Sequence, residues 1–300
     1  MITQFRNYTS QAGITEDYHK VRAFLVRLGH SEYTYARWDW MITHSYLDKS
    51  SVGRIGLWEV DQELVGVATF DCQLGRAYCL TLPEYSALKE EMLMYSMEKL
   101  SRDNDFGVII ADTDDFFQDI AAGTGFTATE EKECDAVFKY DVTSLDYELP
   151  EGFYITSMED NLNAYQYKRV LWKGFNHELD GEGDFAYSED MEREVKEEML
   201  RPNVDLNLKV AVAASDGNFV SYCGMWYDPE AGYAVIEPVA TDPDYRRRGL
   251  GKAAVLEGLR RAGLLGAKAA YVGSSQQFYY SIGLRPCMTA TVWKKSGRKD

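Results

Sequence analysis

The stretch Tyr233–Gly251, YAVIEPVATDPDYRRRGLG, constrains this chain more than any other. It opens on alternation, with Val235, Glu237 and Val239 on one face and Ala234, Ile236 and Pro238 on the other, which predicts a strand. Thr241-Asp242-Pro243-Asp244 then turns the chain. Three arginines and two glycines follow, Arg246-Arg247-Arg248-Gly249-Leu250-Gly251, at the start of a helix with an apolar stripe of Val255, Leu259 and Ala262. Backbone N–H groups and the positive end of the helix dipole meet there, and glycines let a ligand come close. Such a place suits an anion, a pyrophosphate above all.

Three phosphate-binding patterns compete for it. A P-loop needs Gly where Arg246 stands and Ser or Thr where Ala253 stands, so it fails twice. Gly249-Leu250-Gly251-Lys252-Ala253-Ala254 fits a loose dinucleotide pattern. That pattern should follow its strand directly and have an acid about 20 residues on, where this chain has Ala270-Tyr271-Val272. The third pattern is R-x-x-G-x-G after a strand ending Val239-Ala240-Thr241. It resembles the acetyl-coenzyme A motif of the GNAT acetyltransferases. Downstream, Phe278-Tyr279-Tyr280-Ser281-Ile282-Gly283-Leu284 is similar to that family's FY-x-x-x-G-F segment at the expected distance. Two linked motifs in order are specific where either alone is weak.

The order of elements agrees, and it occurs twice. In the first half, Thr15 is placed to cap a helix with Val21, Phe24, Leu25 and Leu28 inside and Gly29 as its stop. A second helix is expected around 38–47, then a hairpin of 55–60 and 64–70 turning at Asp61-Gln62, and a strand over 76–82. Ser86 is read as the cap of a helix carrying Leu93, Met97 and Leu100. The strand 108–111, a helix with Phe117 and Ile120, and a strand over 136–140 follow. In the second half, Ser157 and Asp160 are spaced as a capping box for a helix with Ala164, Tyr167, Leu171 and Phe175. A helix over 191–200, a hairpin of 209–214 and 219–227, the strand at Tyr233, the arginine loop with its helix, the strand 269–272, a helix at Tyr279 and a strand over 289–293 complete it. This order is similar to the GNAT plan. The fold expected is therefore mixed α/β, two tandem GNAT-like acyltransferase domains, each a twisted mixed sheet flanked by helices: 1–147 and 150–300, joined near Leu145–Pro150. Aligning the copies sets Lys89 and Glu91 where the second half has Gly249 and Gly251, and Ala121 where it has Tyr279. The first copy is thus expected to be degenerate and the second to be catalytic.

The resemblance implies acetyl transfer from acetyl-CoA to an amine. It lays the backbone of Val239, Ala240 and Thr241 along the pantetheine arm as an added strand. Arg246, Arg247, Arg248, Gly249, Leu250, Gly251 and Lys252 receive the pyrophosphate, and Ser274 (or Ser275) contacts the cofactor where the family often has Asn. Tyr279 takes the role of acid toward the leaving thiolate, a phenol of pKa ~10 facing a thiol of ~8.5; the other readings are that its ring only packs, or that Tyr280 holds the role. Glu237, flanked by Ile236 and Pro238, is the candidate base, with an ion pair or a solvent-facing carboxylate as the alternative. The segment His177–Asp184, acidic and rich in glycine, reads either as a lid that attracts a cationic amine or as a solvated loop, and Trp226 and Tyr227 as pocket lining or core.

Composition narrows the partners. A net charge of −16 argues against nucleic acid; it suits a small cationic amine, with aminoglycoside-like polycations in view, and solubility alone accounts for it equally well. Residues 1–150 hold 13 Lys and Arg against 26 Asp and Glu, and the remainder 19 against 22, so the half with the arginine loop is much the less acidic. No apolar run reaches the length of a membrane span and no signal-peptide pattern opens the sequence, so a cytoplasmic protein, monomer or homodimer, is expected. Five scattered cysteines without a C-x-x-C pair, and four histidines without metal spacing, suggest neither a disulfide framework nor a metal. Two other readings stay open, a non-catalytic module that binds and senses acyl-CoA and an acetyltransferase acting on a peptide or protein amine.

Overall fold

The structure is a computed structural model that describes residues 2–103, 105–140 and 145–295. It divides into two compact units, Met1–Cys134 together with Cys287–Asp300, and Asp135–Pro286. In chain order the elements are β1 (Gln4–Asn7), α1 (Glu16–Leu28), α2 (Tyr35–Met41), β2 (Gly56–Val60), β3 (Glu63–Asp71), β4 (Gln73–Thr81), α3 (Lys89–Lys99), β5 (Gly107–Ala111), α4 (Asp115–Gly123) and β6 (Phe126–Lys139). The second half repeats them as β7 (Phe153–Ser157), α5 (Ala164–Gly174), α6 (Glu189–Met199), β8 (Lys209–Ala214), β9 (Phe219–Asp228), β10 (Tyr233–Thr241), α7 (Leu250–Leu264), β11 (Ala269–Val272), α8 (Gln277–Ser281) and β12 (Arg285–Lys295). Each half carries the expected order, preceded by a short strand that the pattern did not announce. No helix among the described residues is long and apolar enough to cross a membrane.

Local chemistry sets most boundaries. Thr15 accepts a hydrogen bond from the Tyr18 N–H and Gly29, at φ 84°, ends α1, both as expected. Asp61 and Gln62 both stand at positive φ, the two-residue turn whose twist matches a hairpin. Three expected starts differ. Thr34, not a residue near Trp38, caps α2, which ends at Met41. Ser86 caps nothing; it lies inside a 3₁₀ turn, Pro83–Leu88, that runs straight into α3. Ser157 and Asp160 do bond to each other, the Ser157 hydroxyl donating to Asp160 Oδ2 at 2.7 Å, but they close the turn after β7. The Ser157 backbone is already committed to the sheet opposite Val210, so α5 begins later, on an Asn163 cap.

In the first unit the strands run β1-β2-β3-β4-β5-β12, antiparallel except for the β4/β5 pair. In the second they run β6-β11-β10-β9-β8-β7, antiparallel except for β10/β11. The second unit thus takes residues 136–139 of β6 against β11, and the first takes β12 against β5. The last strand of each half completes the sheet of the other unit.

The sheet of the second unit buries both faces. On one, Ala234, Ile236, Val210 and Val212 pack with Val255 and Leu259 of α7 and with Tyr279. On the other, Ala211, Ala213, Phe219 and Tyr222 pack with Tyr167 of α5 and Val195 of α6. A charge is held within α7: Glu257, 2% exposed, accepts from Arg260 and Arg261 at 2.7 Å and from the Tyr147 hydroxyl at 2.9 Å. Burial pushes this carboxyl up, but its three donors outweigh that and hold it at about 2. A depressed folded value stabilises above the unfolded pKa of ~4.3 and is lost as pH falls through the folded one. Glu257→Gln is therefore expected to lower unfolding free energy by about 2–3 kcal/mol at pH 7, with the deficit shrinking as pH falls from ~4 toward 2. Urea unfolding at pH 7 and pH 3 checks this; an equal deficit at both would remove the carboxylate's charge as the cause.

Candidate active site

The site grows out of an irregularity in β10. Ile236 lies opposite Met225, yet Val239 lies opposite Cys223, so three steps on β10 match two on β9. This bulge inverts the in-and-out phase of the strand. Val239 consequently packs toward the α7 side with Ala234 and Ile236, and not on the face of Val235, as unbroken alternation predicted. Glu237 sits in the bulge itself. The carbonyl of Glu237 and the Pro238 Cδ lie 2.6 and 2.9 Å from where a Cβ on Gly224 would be, so only glycine leaves room for the bulge. On its other edge β10 pairs with β11 only from Tyr233↔Ala269 to Val235↔Tyr271. Beyond Val235 the ladder stops, and the β11-facing backbone edge of Val239, Ala240 and Thr241 is left without a strand.

At the end of that edge stands the arginine loop. Gly249, at φ 81°, is the N-cap of α7, a conformation that costs glycine nothing, and no side chain caps this helix. The N–H groups of the first turn, through Lys252, have no intrahelical acceptor. Leu250 is buried and anchors the turn, whereas a Cβ on Gly251 would come within 2.9 Å of Thr241 Oγ1. Thr241 Oγ1 shares a hydrogen bond with Ser221 at 2.9 Å, so this junction of strand and helix is tight. Arg246 holds the loop from outside: its guanidinium donates to the carbonyls of Gly174 and Thr241 and to Asn176 Oδ1 at 2.8, 3.1 and 2.7 Å. Arg247 and Arg248 are exposed, the latter against the Tyr245 ring at 5.3 Å. Below the loop Asp242, fully buried, is ion-paired with Arg169 at 3.2 Å and Lys173 at 3.6 Å, fastening the turn to α5. None of these fastenings was legible from the motif.

Tyr279 enters from α8, beyond the parallel neighbour β11. Phe278 lies 3.6 Å from the Cβ position of Gly251, which brings α8 against the first turn of α7. Tyr279 is 7% exposed; burial pushes its phenol well above the ordinary value, with Cys223 and Glu237 acting in the same direction. Ser274, after β11, has its hydroxyl engaged with the Gln276 N–H at 3.2 Å. The acidic segment His177–Asp184 is folded against α5: the His177 ring stacks on Trp172 at 4.4 Å and meets Glu182 at 2.8 Å, and Trp172 donates to the Gly183 carbonyl at 3.2 Å.

The corresponding turn of the first half is built differently. Lys89 follows the 3₁₀ turn with helical φ/ψ, pairs with Asp114 and lies over the Phe117 ring at 5.1 Å. Glu91 accepts from Trp58 Nε1 at 2.9 Å. Side chains fill the place where the second half has two glycines. An open groove in this unit, about 500 Å³, is lined by Phe5, Trp58, Met94 and Tyr95 together with Glu91 itself.

Residues 172–284, which hold the bulge, the arginine loop and Tyr279, match the Acetyltransferase (GNAT) family. The whole chain is similar in fold to a GCN5-related N-acetyltransferase from Sphaerobacter thermophilus, with a TM-score of 0.60 at 15% identity over 98% of this chain and 95% of that one. A tandem GNAT protein from the clavulanic acid biosynthesis pathway gives 0.61 at 10% identity over 99% and 100%. A GNAT-family acetyltransferase from Colwellia psychrerythraea gives 0.55 at 10% over 98% and 100%. No curated protein matches the sequence. The fold is therefore a tandem GNAT arrangement, with the family match in its second half.

Proposed function

We propose that the GNAT half is an N-acetyltransferase that moves an acetyl group from acetyl-CoA to a primary amine of a small cationic molecule. The observation that carries this is the unpaired β10 edge of Val239–Thr241 leading directly to the uncapped N-terminus of α7. An extended amide-bearing arm can add to such an edge and its pyrophosphate can sit on the free N–H groups of Gly249 to Lys252, with Arg247 and Arg248 supplying charge. Arg246 acts at one remove, by holding the loop. Bound there, acetyl-CoA supplies an activated thioester.

Glu237 accepts the proton of the attacking amine and Tyr279 donates toward the departing sulfur. One C–N bond forms and one C–S bond breaks, giving an acetamide and a free thiol. Chain segments 1–147 and 150–300 are read as two copies of one domain, of which only the second binds coenzyme A, since Lys89 and Glu91 fill the first. Calorimetry is expected to give one coenzyme A per chain, lost in Gly249→Glu, where a side chain at positive φ would also carry a charge into the anion site. Two sites per chain would refute the silent first half. A module that only senses acyl-CoA would bind equally well but release no thiol with any amine.

A further inference from the structure

The donors on the α5/α6 face of the sheet point to the acceptor's second functional group. Along β8, Val210 and Val212 face α7 while Ala211 and Ala213 face α5 and α6, so Lys209 belongs to the latter face. On β9, Cys223 and Met225 face α7 and Tyr222 the opposite side, so Gly224 and Trp226 share the face of Tyr222. Lys209 pairs in register with Gly224, whose missing side chain accommodates the Glu237 bulge. Tyr222, Lys209 and Trp226 therefore form one row beside the candidate base.

Each of the three is a buried donor short of an acceptor. Lys209 is 3% exposed, and its amine donates to the Met225 carbonyl at 2.9 Å and lies 3.8 Å from the centre of the Trp226 ring. No carboxylate stands within ion-pairing distance of it among the described residues. Trp226 Nε1 and the Tyr222 hydroxyl are both buried without a hydrogen-bond partner among the described residues. Of the carboxylates whose charge reaches Lys209, those of Glu198, Asp205 and Glu237, the first, on α6, is bonded by the Tyr167 hydroxyl at 3.2 Å. A buried ammonium and two orphaned N–H and O–H groups are costly to the fold, and an anion bound among them would offset that cost.

We propose that the acceptor amine also carries a carboxylate, held by Lys209 and Trp226 with Tyr222 behind them, so that the substrate is amino-acid-like and not a polycation. This rests on the acetyl-transfer reading and narrows it. The spacing follows from the sheet: the carboxylate on the β8/β9 row places the amine toward Glu237, one strand over. Burial lowers the Lys209 amine to about 8 against the pull of Glu198, Asp205 and Glu237, which keeps it charged near neutral pH. A resident cation on the Trp226 ring also repels a second one, which disfavours polyamines.

The test uses matched pairs, an amino acid and its decarboxylated amine (ornithine and putrescine, phenylalanine and phenethylamine), with thiol release as readout. The wild type is expected to favour the carboxylated member of at least one pair by 10-fold or more in kcat/KM. Lys209→Met should lower that value about 10- to 100-fold, mainly through KM, and leave the decarboxylated partner within about two-fold. Trp226→Phe, which keeps the ring and removes the N–H, should act in the same direction by a smaller factor. Lys209→Met should melt no lower than wild type, because an underpaired buried charge is replaced by an apolar chain of similar length. Preference for the decarboxylated amines, or equal loss on both members, overturns the proposal. Calorimetry of the same pairs with the coenzyme A complex keeps the two readings apart. If no amine releases thiol, acetyl transfer falls, and selective amino-acid binding lost in Lys209→Met still decides the carboxylate site.

Discussion

Tyr279→Phe is expected to lower turnover by roughly 10²–10³-fold while coenzyme A affinity stays within about two-fold. Only a hydroxyl is removed, and the ring, packed among Ile236, Leu250 and Ile282, keeps its place. The structure also refines the role. A phenol of ordinary pKa, ~10, is already a weaker acid than a thiol of ~8.5, and burial raises Tyr279 further. In the proposed role Tyr279 therefore offers its proton as a hydrogen bond to the developing thiolate, which places the expected loss nearer that of one oriented donor. Single-turnover acetylation with calorimetric titration of coenzyme A separates the two effects. Full turnover in the variant would make Tyr279 a packing residue.

Glu237→Gln should lose about 10²-fold in turnover near pH 7 and progressively less as pH rises. The substrate ammonium, with a pKa of ~10 for an alkyl amine, must shed its proton before attack, and near neutrality it needs a base to do so. In strongly alkaline solution free amine is plentiful, so the variant and the wild type should converge. A carboxylate that merely binds the ammonium would give another pattern, a raised KM at nearly unchanged saturated turnover. Wild-type rates across the whole range would move the base elsewhere. The bulge makes Gln the right replacement, because the Glu237 backbone is pressed against Gly224 and a smaller residue would risk repacking it.

Much of this was written locally in the chain. Thr15 and Gly29 bound α1, Asp61-Gln62 turns its hairpin, 269–272 is the strand expected, and R-x-x-G-x-G does cap α7 with a glycine at positive φ. Such features depend on the conformational preferences of a few adjacent residues and on the period of their apolar positions, both of which a sequence displays. Alternation shows that a segment pairs, but it does not name the partner. Nothing in Arg285–Lys295 says that it completes the sheet beside β5, or in residues 136–139 that they run along β11. The four residues of β1, mostly exposed, and the five of β7 are too short for a pattern to announce them.

The bulge in β10 was beyond reach for a related reason. Tyr233–Thr241 alternates well enough to suggest an unbroken strand, and it is Gly224, on the neighbouring strand, that leaves space for the extra residue. The same holds for the site. Glycines, arginines and Tyr279 could be picked out because their roles follow from backbone freedom, charge and a linked motif. Lys209, Tyr222 and Trp226 carry no motif, and the hydrogen bonds of Arg246 to Gly174 and Asn176 join residues some seventy positions apart. The sequence by itself determined the elements, their order and the glycine turn that starts α7, because these are local. Tertiary structure alone decided which strands meet, where β10 bulges, and which buried donors are left wanting an acceptor, because each depends on residues far apart in the chain and close in space.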